Sequence, residues 1–500
     1  MITKFSKIGI SFILAFSTLC SENYWWSPKQ VPVVRGFVDN YQVAVNSSGS
    51  AIAMMNDQVL GFLDGGNETW AFWRLNLEGG SPLVYRIDHY EASTINLGEG
   101  SYTKAIHIND LNEGSVVFKI NEGPEAGKIA YIEFKEGEWK NFKILSEGQA
   151  LCPVFAMTDY GTGLAAWINN DLASSSFGRL EVITKTADEW KEIIHLSDKQ
   201  SIELSIQQTG PQIGVSEIGD AIVVWKVKSQ DDETSGELLA ACYDAIDAKW
   251  YETIKLGDQS REFRKYNLSM NALGDVCVAY YNDEKVHAHY INLSDYIILK
   301  TQISSSGNSL DESILKYGSW KKACQSESRE VSHIKSGVSD QKTALIAWTT
   351  ESLSSELALL KMDEGSMTSL GQIIPRSVFD MQISGKSEGF NACFIAEGNS
   401  YDEALFSRDY DAFGRSISQL KSISSSEHSL VDSAERVSFA RGDRGIVMWY
   451  DFIKESVFVS FNKNIQEPIC SDRYSRLRDR KSCLIDRKLK LAEKRRERRG

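Results

Sequence analysis

Two histidines one residue apart, His287-Ala-His289, have the spacing closest to a metal site in this sequence. On an extended segment both imidazoles would share one face, because strand side chains alternate, and such a pair can begin a zinc site. Zinc needs a third ligand and an open position. No third ligand stands near in the sequence, so the pair is expected to be satisfied by neighbours or solvent, and no metal is expected. Asp409-Tyr-Asp411-Ala-Phe-Gly414 is half of a calcium loop without the later ligands or the closing glutamate. It falls where a hairpin turn is due, which favours turn chemistry. With 68 Asp and Glu in the chain, no pair stands out as general acid and base. The sequence has no Gly-rich phosphate loop and no Ser/His/Asp spacing, so no cofactor is implied. The 8 cysteines are scattered without a C-x-x-C pair, and Cys242, Cys277 and Cys393 sit in apolar runs as small hydrophobes.

Basic residues gather at one end. Cys470 to Gly500 holds 13 Lys/Arg against 5 Asp/Glu, a balance of +8; taking +8 from the net −13 leaves −21 on the rest. Lys494, Arg495, Arg496, Arg498 and Arg499 are the candidates for contact with an anionic membrane or polysaccharide surface. Docking of this tail on the acidic body and a merely solvated tail are the competing readings. A nucleic-acid partner is not expected, because the opposite end reads as an export signal. Lys4 and Lys7 precede an apolar run of 12 residues, Ile8 to Leu19, which is short of the ~20 residues that span a bilayer. Cleavage near Cys20–Ser21 would leave an extracytoplasmic protein. A lipoprotein anchored at Cys20 is the alternative, although Leu19 is not the small residue expected before such a cysteine.

The elements that position these residues are strands. Gly219-Asp-Ala-Ile-Val-Val-Trp225 is a glycine turn followed by a β-branched run ending on tryptophan. It recurs as Gly163 to Trp167, Gly274 to Tyr280, Thr343 to Trp348 and Gly445 to Trp449. Marking the end of this strand at Met55, Phe118, Trp167, Trp225, Tyr280, Trp348, Phe394 and Trp449 gives intervals of 63, 49, 58, 55, 68, 46 and 55. Each unit reads as four short strands, the pattern of an all-β, eight-bladed β-propeller over residues 21–469, with seven blades as the alternative. Trp225 is expected to wedge between neighbouring sheets. The last unit lacks a fourth strand, and Tyr24 to Val31 is expected to supply it, closing the ring. Two insertions, 86–100 and 306–332, are expected between a fourth strand and the next first strand, on the face that also carries the acidic loop Gln230 to Thr234. A helix is expected over Leu310 to Cys324, and the tail 470–500 is helical or unstructured.

Asp64-Gly-Gly-Asn-Glu-Thr-Trp70 resembles the Asp-box of sialidase-type propellers, Ser-x-Asp-x-Gly-x-Thr-Trp, with Phe62 at the serine position and one residue inserted. Glu136 to Trp139, Thr186 to Trp190 and Ala245 to Trp250 are weaker copies. The resemblance implies a structural role: the carboxylate ties a hairpin turn and the tryptophan packs between sheets. It also implies, for an active sialidase, three arginines, a Tyr–Glu nucleophile pair and an Asp acid. These are not matched, and Val33-Val-Arg-Gly36 is a poor stand-in for the family's first arginine segment. The function expected is therefore a non-enzymatic, monomeric scaffold that binds a protein or glycan through the insertion-bearing face. His89 and Tyr90 in the first insertion, and Tyr317 and Trp320 in the second, are the candidate binding residues, as aromatic stacking area on polar loops. A propeller glycosidase or lyase is the alternative.

Overall fold

A run such as Ala221-Ile-Val-Val-Trp225 has no polar side and must be covered on both faces, which a single sheet cannot do. In the computed structural model these runs are the second strands of eight antiparallel sheets that cover one another. The structure describes the strands between Tyr24 and Lys463 and most of their connections; residues 1–23, 31–40, 88–104, 306–318, 424–436 and 464–500, with some shorter loops, lie outside the described residues.

Each sheet is a meander paired in chain order. The fourth, for example, runs Gln212–Val215, Ala221–Lys228, Gly236–Asp244 and then the short outer pieces Lys249–Trp250 and Ile254–Lys255. The eight marker residues all fall in second strands, from Ala51–Met55 to Gly445–Asp451. The first strands touch in succession: Tyr41–Val45, Ile106–Ile108, Ala150–Met157, Gln212–Val215, Tyr266–Met270, Val331–Val338, Val378–Lys386 and Val437–Phe439, the last touching the first again. The eighth sheet takes its outer strand from the other end of the chain. Tyr24 pairs with Lys463 and Trp25 with Asn462, and Lys29 and Gln30 pair with Val459 and Phe458.

The core lies between sheets. Six apolar clusters fill the gaps from the first and second sheets to the sixth and seventh. In each, a marker aromatic faces the preceding sheet, and Trp167, Trp225, Trp348, Tyr280 and Phe394 are at most 1% exposed. Trp225 lies among Val154, Leu164, Ala166 and Val182 of the third sheet, wedged as its sequence suggests. Two of the Asp-box copies have the packed tryptophan that the resemblance implies. Trp139 packs 5.2 Å from Phe134, and Trp190 sits 4.9 Å from Tyr131 of the neighbouring sheet. At Gly385 the sheets come so close that a Cβ would lie 1.8 Å from the Val338 carbonyl oxygen.

Three expectations about the insertions are corrected. The first sheet has a fifth strand, Ser81–Ile87, so Arg86 belongs to a strand and the connection begins at 88. The second insertion lies inside the fifth sheet, between its third strand Lys285–Asn292 and its fourth strand Lys321–Ser326. The helix it carries is Leu293–Ser305, and the described part of Leu310 to Cys324 enters the strand. Asn292 caps this helix by accepting the Asp295 amide at 3.1 Å. Leu293, Tyr296, Ile297 and Leu299 are buried. The run Tyr296-Ile-Ile-Leu299 shows no polar face in sequence because it is covered on several sides.

Trp225→Ala should lower stability by ~3–5 kcal/mol, the cost of truncating a buried aromatic, read as a shift in the urea midpoint. Retention of the midpoint would mean that the gap between the third and fourth sheets is not a stabilising contact.

Candidate functional site

One end of the sheets is built by turns joining first to second strands. Six of these share a hydrogen-bonded loop, closed at Asn46, Asn109, Thr158, Ser216, Asn271 and Ser339 by an amide bond to the carbonyl four residues on. The side-chain oxygen of the leading residue helps hold the loop. Asn109 Oδ1 accepts the amides of Leu111 and Glu113, and Asn271 Oδ1 those of Leu273 and Asp275. The fourth loop residue has a positive φ, 90° at Gly219 and 81° at Gly274, which is why a glycine opens the repeated phrase. Neighbouring loops are tied together. Asn46 Nδ2 donates to the Asn109 carbonyl, the Glu217 amide to the Ala272 carbonyl, and Asn271 Nδ2 to the Ser339 carbonyl.

The described elements that lead into both departures from the repeat, the strand ending at Ile87 and the helix beginning at Leu293, meet this turn face, which is the opposite of the face expected. Third-to-fourth turns share the same end, so the helix Leu293–Ser305 starts there. Its Leu293 amide donates to the Gly274 carbonyl at 2.8 Å, and Ser294 Oγ donates to Asp220 Oδ2 at 3.1 Å. Ile87 pairs with Phe72 near that same end, so the connection after it departs from the turn face. The acidic stretch Gln230 to Thr234, between the second and third strands of the fourth sheet, lies outside the described residues.

Of the four aromatic candidates, His89, Tyr90 and Tyr317 lie outside the described residues, as do Lys494, Arg495, Arg496, Arg498 and Arg499. Trp320 is half-buried against the cluster between the fourth and fifth sheets. It meets the histidine pair: its ring lies 6.4 Å from His289, which lies 5.7 Å from Tyr280, and Tyr280 stacks on His287 at 5.1 Å. The two imidazoles do share one face. Tyr280 OH donates to the Leu256 carbonyl at 3.1 Å, so at the 3.2 Å contact His289 Nε2 carries the proton and donates to the phenol. His287 Nε2 likewise donates to the Asn282 carbonyl at 3.2 Å. The pair works as an aromatic ladder across the sheet.

A second polar group was not singled out in the sequence. Tyr131 OH donates to Glu133 Oε1 at 2.5 Å, and Glu133 also takes Asn141 Nδ2 at 2.8 Å and Lys185 Nζ at 3.3 Å from the next sheet. Burial, then the bond to Glu133, raises the Tyr131 phenol above its ordinary range. Burial works to raise the Glu133 carboxyl, but the bonds from Asn141 and Tyr131 and the Lys185 charge outweigh it and hold the group below 4.5. This is a Tyr–Glu pair of the kind a sialidase nucleophile needs, yet Tyr131 is 2% exposed and sealed by Phe155 and Trp190. The i, i+2 spacing on one strand was the available signal.

Among the described residues, the six buried carboxylates, Glu181, Asp220, Asp244, Asp275, Glu327 and Asp409, all accept hydrogen bonds inside the fold. Glu181 takes Trp167 Nε1 at 2.7 Å and Glu327 takes Trp348 Nε1 at 2.9 Å, anchoring two marker tryptophans. Asp411 holds its hairpin turn by accepting the Phe413 and Arg415 amides, each at 2.9 Å, which is the turn chemistry expected there. Cys242, Cys277 and Cys393 are buried free thiols, and burial pushes the Cys277 thiol up to about 12.

Meanders stacked face to face, with their first strands meeting in succession, have a familiar plan. The chain has the architecture of a β-propeller. No protein family and no curated protein sequence matches it. Among solved structures it is similar to a mutant of the NanB sialidase from Streptococcus pneumoniae, at 8% identity and a TM-score of 0.37, covering 86% of this chain and 94% of that one. It is also similar to the polysaccharide lyase Uly1, at 9% identity, TM-score 0.41 and coverage of 76% and 94%. The Dos1 propeller gives 11% identity, TM-score 0.41 and coverage of 88% and 95%. Likeness at this level reaches no individual residue.

Because the Glu133 carboxyl is held below its unfolded value, its contribution to stability is present above about pH 4.5 and is lost as the pH falls through the folded value. Glu133→Gln should therefore cost about 1 kcal/mol near neutrality, and the difference from wild type should shrink as the pH falls below about 4.5 in paired urea titrations.

Proposed function

We propose that the eight sheets are the blades of one closed ring, completed by Tyr24–Trp25 and Lys29–Gln30, and that this ring is a non-enzymatic scaffold. Its ligand is a protein or glycan, bound on the turn face that carries the helix Leu293–Ser305. Closure is supported by the succession of first-strand contacts that returns to Tyr41–Val45, and by the ladder between the two ends of the chain. The scaffold reading rests on the use of the buried carboxylates. All six are engaged in holding turns, strands or tryptophans. A glycosidase needs two carboxyl groups placed ~5–9.5 Å apart across a substrate bond. The nucleophile-like pair Tyr131–Glu133 faces a neighbouring sheet and serves as an interblade tie.

Two experiments test these statements. A glycan array combined with hydrolysis and lyase assays should give binding without product; turnover of any glycan would replace the scaffold by the glycosidase or lyase. Removing residues 21–30 should cost a few kcal/mol, at about 1 kcal/mol for each ladder hydrogen bond lost, and should promote association through the bared edge. An unchanged unfolding midpoint would show that the ring does not depend on this strand.

A further inference from the structure

The turn face carries an arc of apolar side chains that the repeat itself does not require. The third residue of the loop is Leu111 in the second sheet, Tyr160 in the third, Ile218 in the fourth and Leu273 in the fifth. Leu111 and Tyr160 are 76% and 67% exposed, Ile218 is half-buried and Leu273 is buried. The residues before Tyr160 and Ile218 are acidic, Asp159 and Glu217. Farther round, the sixth loop has Gln341 at the third position, with Asp340 before it and Lys342 after it. Apolar area and negative charge thus coincide over the second to fourth sheets. Such a surface suits a segment that is both basic and apolar.

The chain contains such a segment. Leu484-Ile-Asp-Arg-Lys-Leu-Lys-Leu-Ala-Glu-Lys-Arg-Arg-Glu-Arg-Arg499 combines Leu484, Ile485, Leu489 and Leu491 with a strong positive charge. Its point of departure is on the correct face. The last described strand, Ser456–Lys463, pairs Phe461 with Ile446, beside the first-to-second turn, and so ends at the turn face. Residues 464–483 can extend up to ~65 Å at ~3.3 Å each, against a radius of gyration of roughly 23 Å for a chain of this length. The segment can therefore reach any loop on that face.

We propose that residues 484–499 dock on the arc formed by Leu111, Tyr160 and Ile218, with their cations directed to Asp159 and Glu217. The chain covers its own turn face, and a ligand for that face competes with the tail. The docking itself does not depend on the identity of the ligand or on the scaffold reading.

Carbodiimide cross-linking of the full chain, read by mass spectrometry on the monomer fraction, tests the contact. Links should join Lys488, Lys490 or Lys494 to Asp159 or Glu217. The double variant Leu111→Lys/Tyr160→Lys should reduce them by about fivefold or more, as should high salt. Both side chains are largely exposed, and an unchanged urea midpoint would confirm that the variant folds. The freed tail should also raise binding to phosphatidylserine-containing vesicles by about threefold or more. Cross-links that are absent or insensitive to the variant overturn the proposal. So do links confined to a dimer fraction, which would assign the arc to a second copy, and vesicle binding equal in wild type and variant, which would make the tail a constitutive surface anchor.

Discussion

A sheet whose strands are apolar on both sides has no stable surface of its own, and this condition governs most of what the chain does. Leu238, Ala240 and Cys242 face one way from the third strand of the fourth sheet, and Leu239 and Ala241 face the other. Each set must meet another sheet. Stacking satisfies both at once, but it leaves the first and last sheets of any open stack with a bare face. Val437–Phe439 of the last sheet lies in contact with Tyr41–Val45 of the first, and in the ring proposed above neither end sheet keeps a bare face. Buried apolar surface of this kind supplies the driving force at ~25 cal/mol per Å², and the polar groups caught between sheets then have to find partners there.

That requirement accounts for much of the polar chemistry in the interior. Glu181 and Glu327 are placed to accept indole protons, Asp220 to receive a helix hydroxyl, and Asn271 to close one loop and hold the next. Side chains that would suggest catalysis in a list of residues are here part of the frame. The same holds for the histidine pair, whose ring nitrogens are directed to a tyrosine and a carbonyl.

The repeat was legible because its signal is redundant: an apolar run after a turn in each of eight units, ending on a large aromatic in seven of them. Trp225 could be placed between sheets from sequence, and the pairing of Tyr24–Trp25 and Lys29–Gln30 with the last sheet followed from a unit that lacked an outer strand. The insertions were misplaced for physical reasons. The hairpin that adds Ser81–Ile87 is announced by Gly79-Gly80 between apolar runs, a strong turn signal. The first turns of the helix Leu293–Ser305 are buried on too many sides to show an amphipathic period in the sequence. Moving these two elements moves the face on which function is to be sought. Tyr131 and Glu133 escaped notice because the third member of their group, Lys185, lies on a different sheet, and such neighbours are set by stacking rather than by local spacing.

The pairing of Tyr24 with Lys463 has a bearing on how the protein comes to be folded. These partners are separated by nearly the whole described chain, so the contact with the largest loop to close belongs to the strand that is synthesised first. Until the last sheet exists, Tyr24–Trp25 and Lys29–Gln30 have no ladder to join, while the final sheet without them presents an open edge. Assembly from local meanders can proceed sheet by sheet, but the step that unites the two ends carries the greatest loss of chain entropy and waits for the end of synthesis. Until that pairing forms, Tyr24–Trp25, Lys29–Gln30 and the eighth sheet all have an unpaired edge, and that interval is when the chain is most exposed to association with another copy of itself.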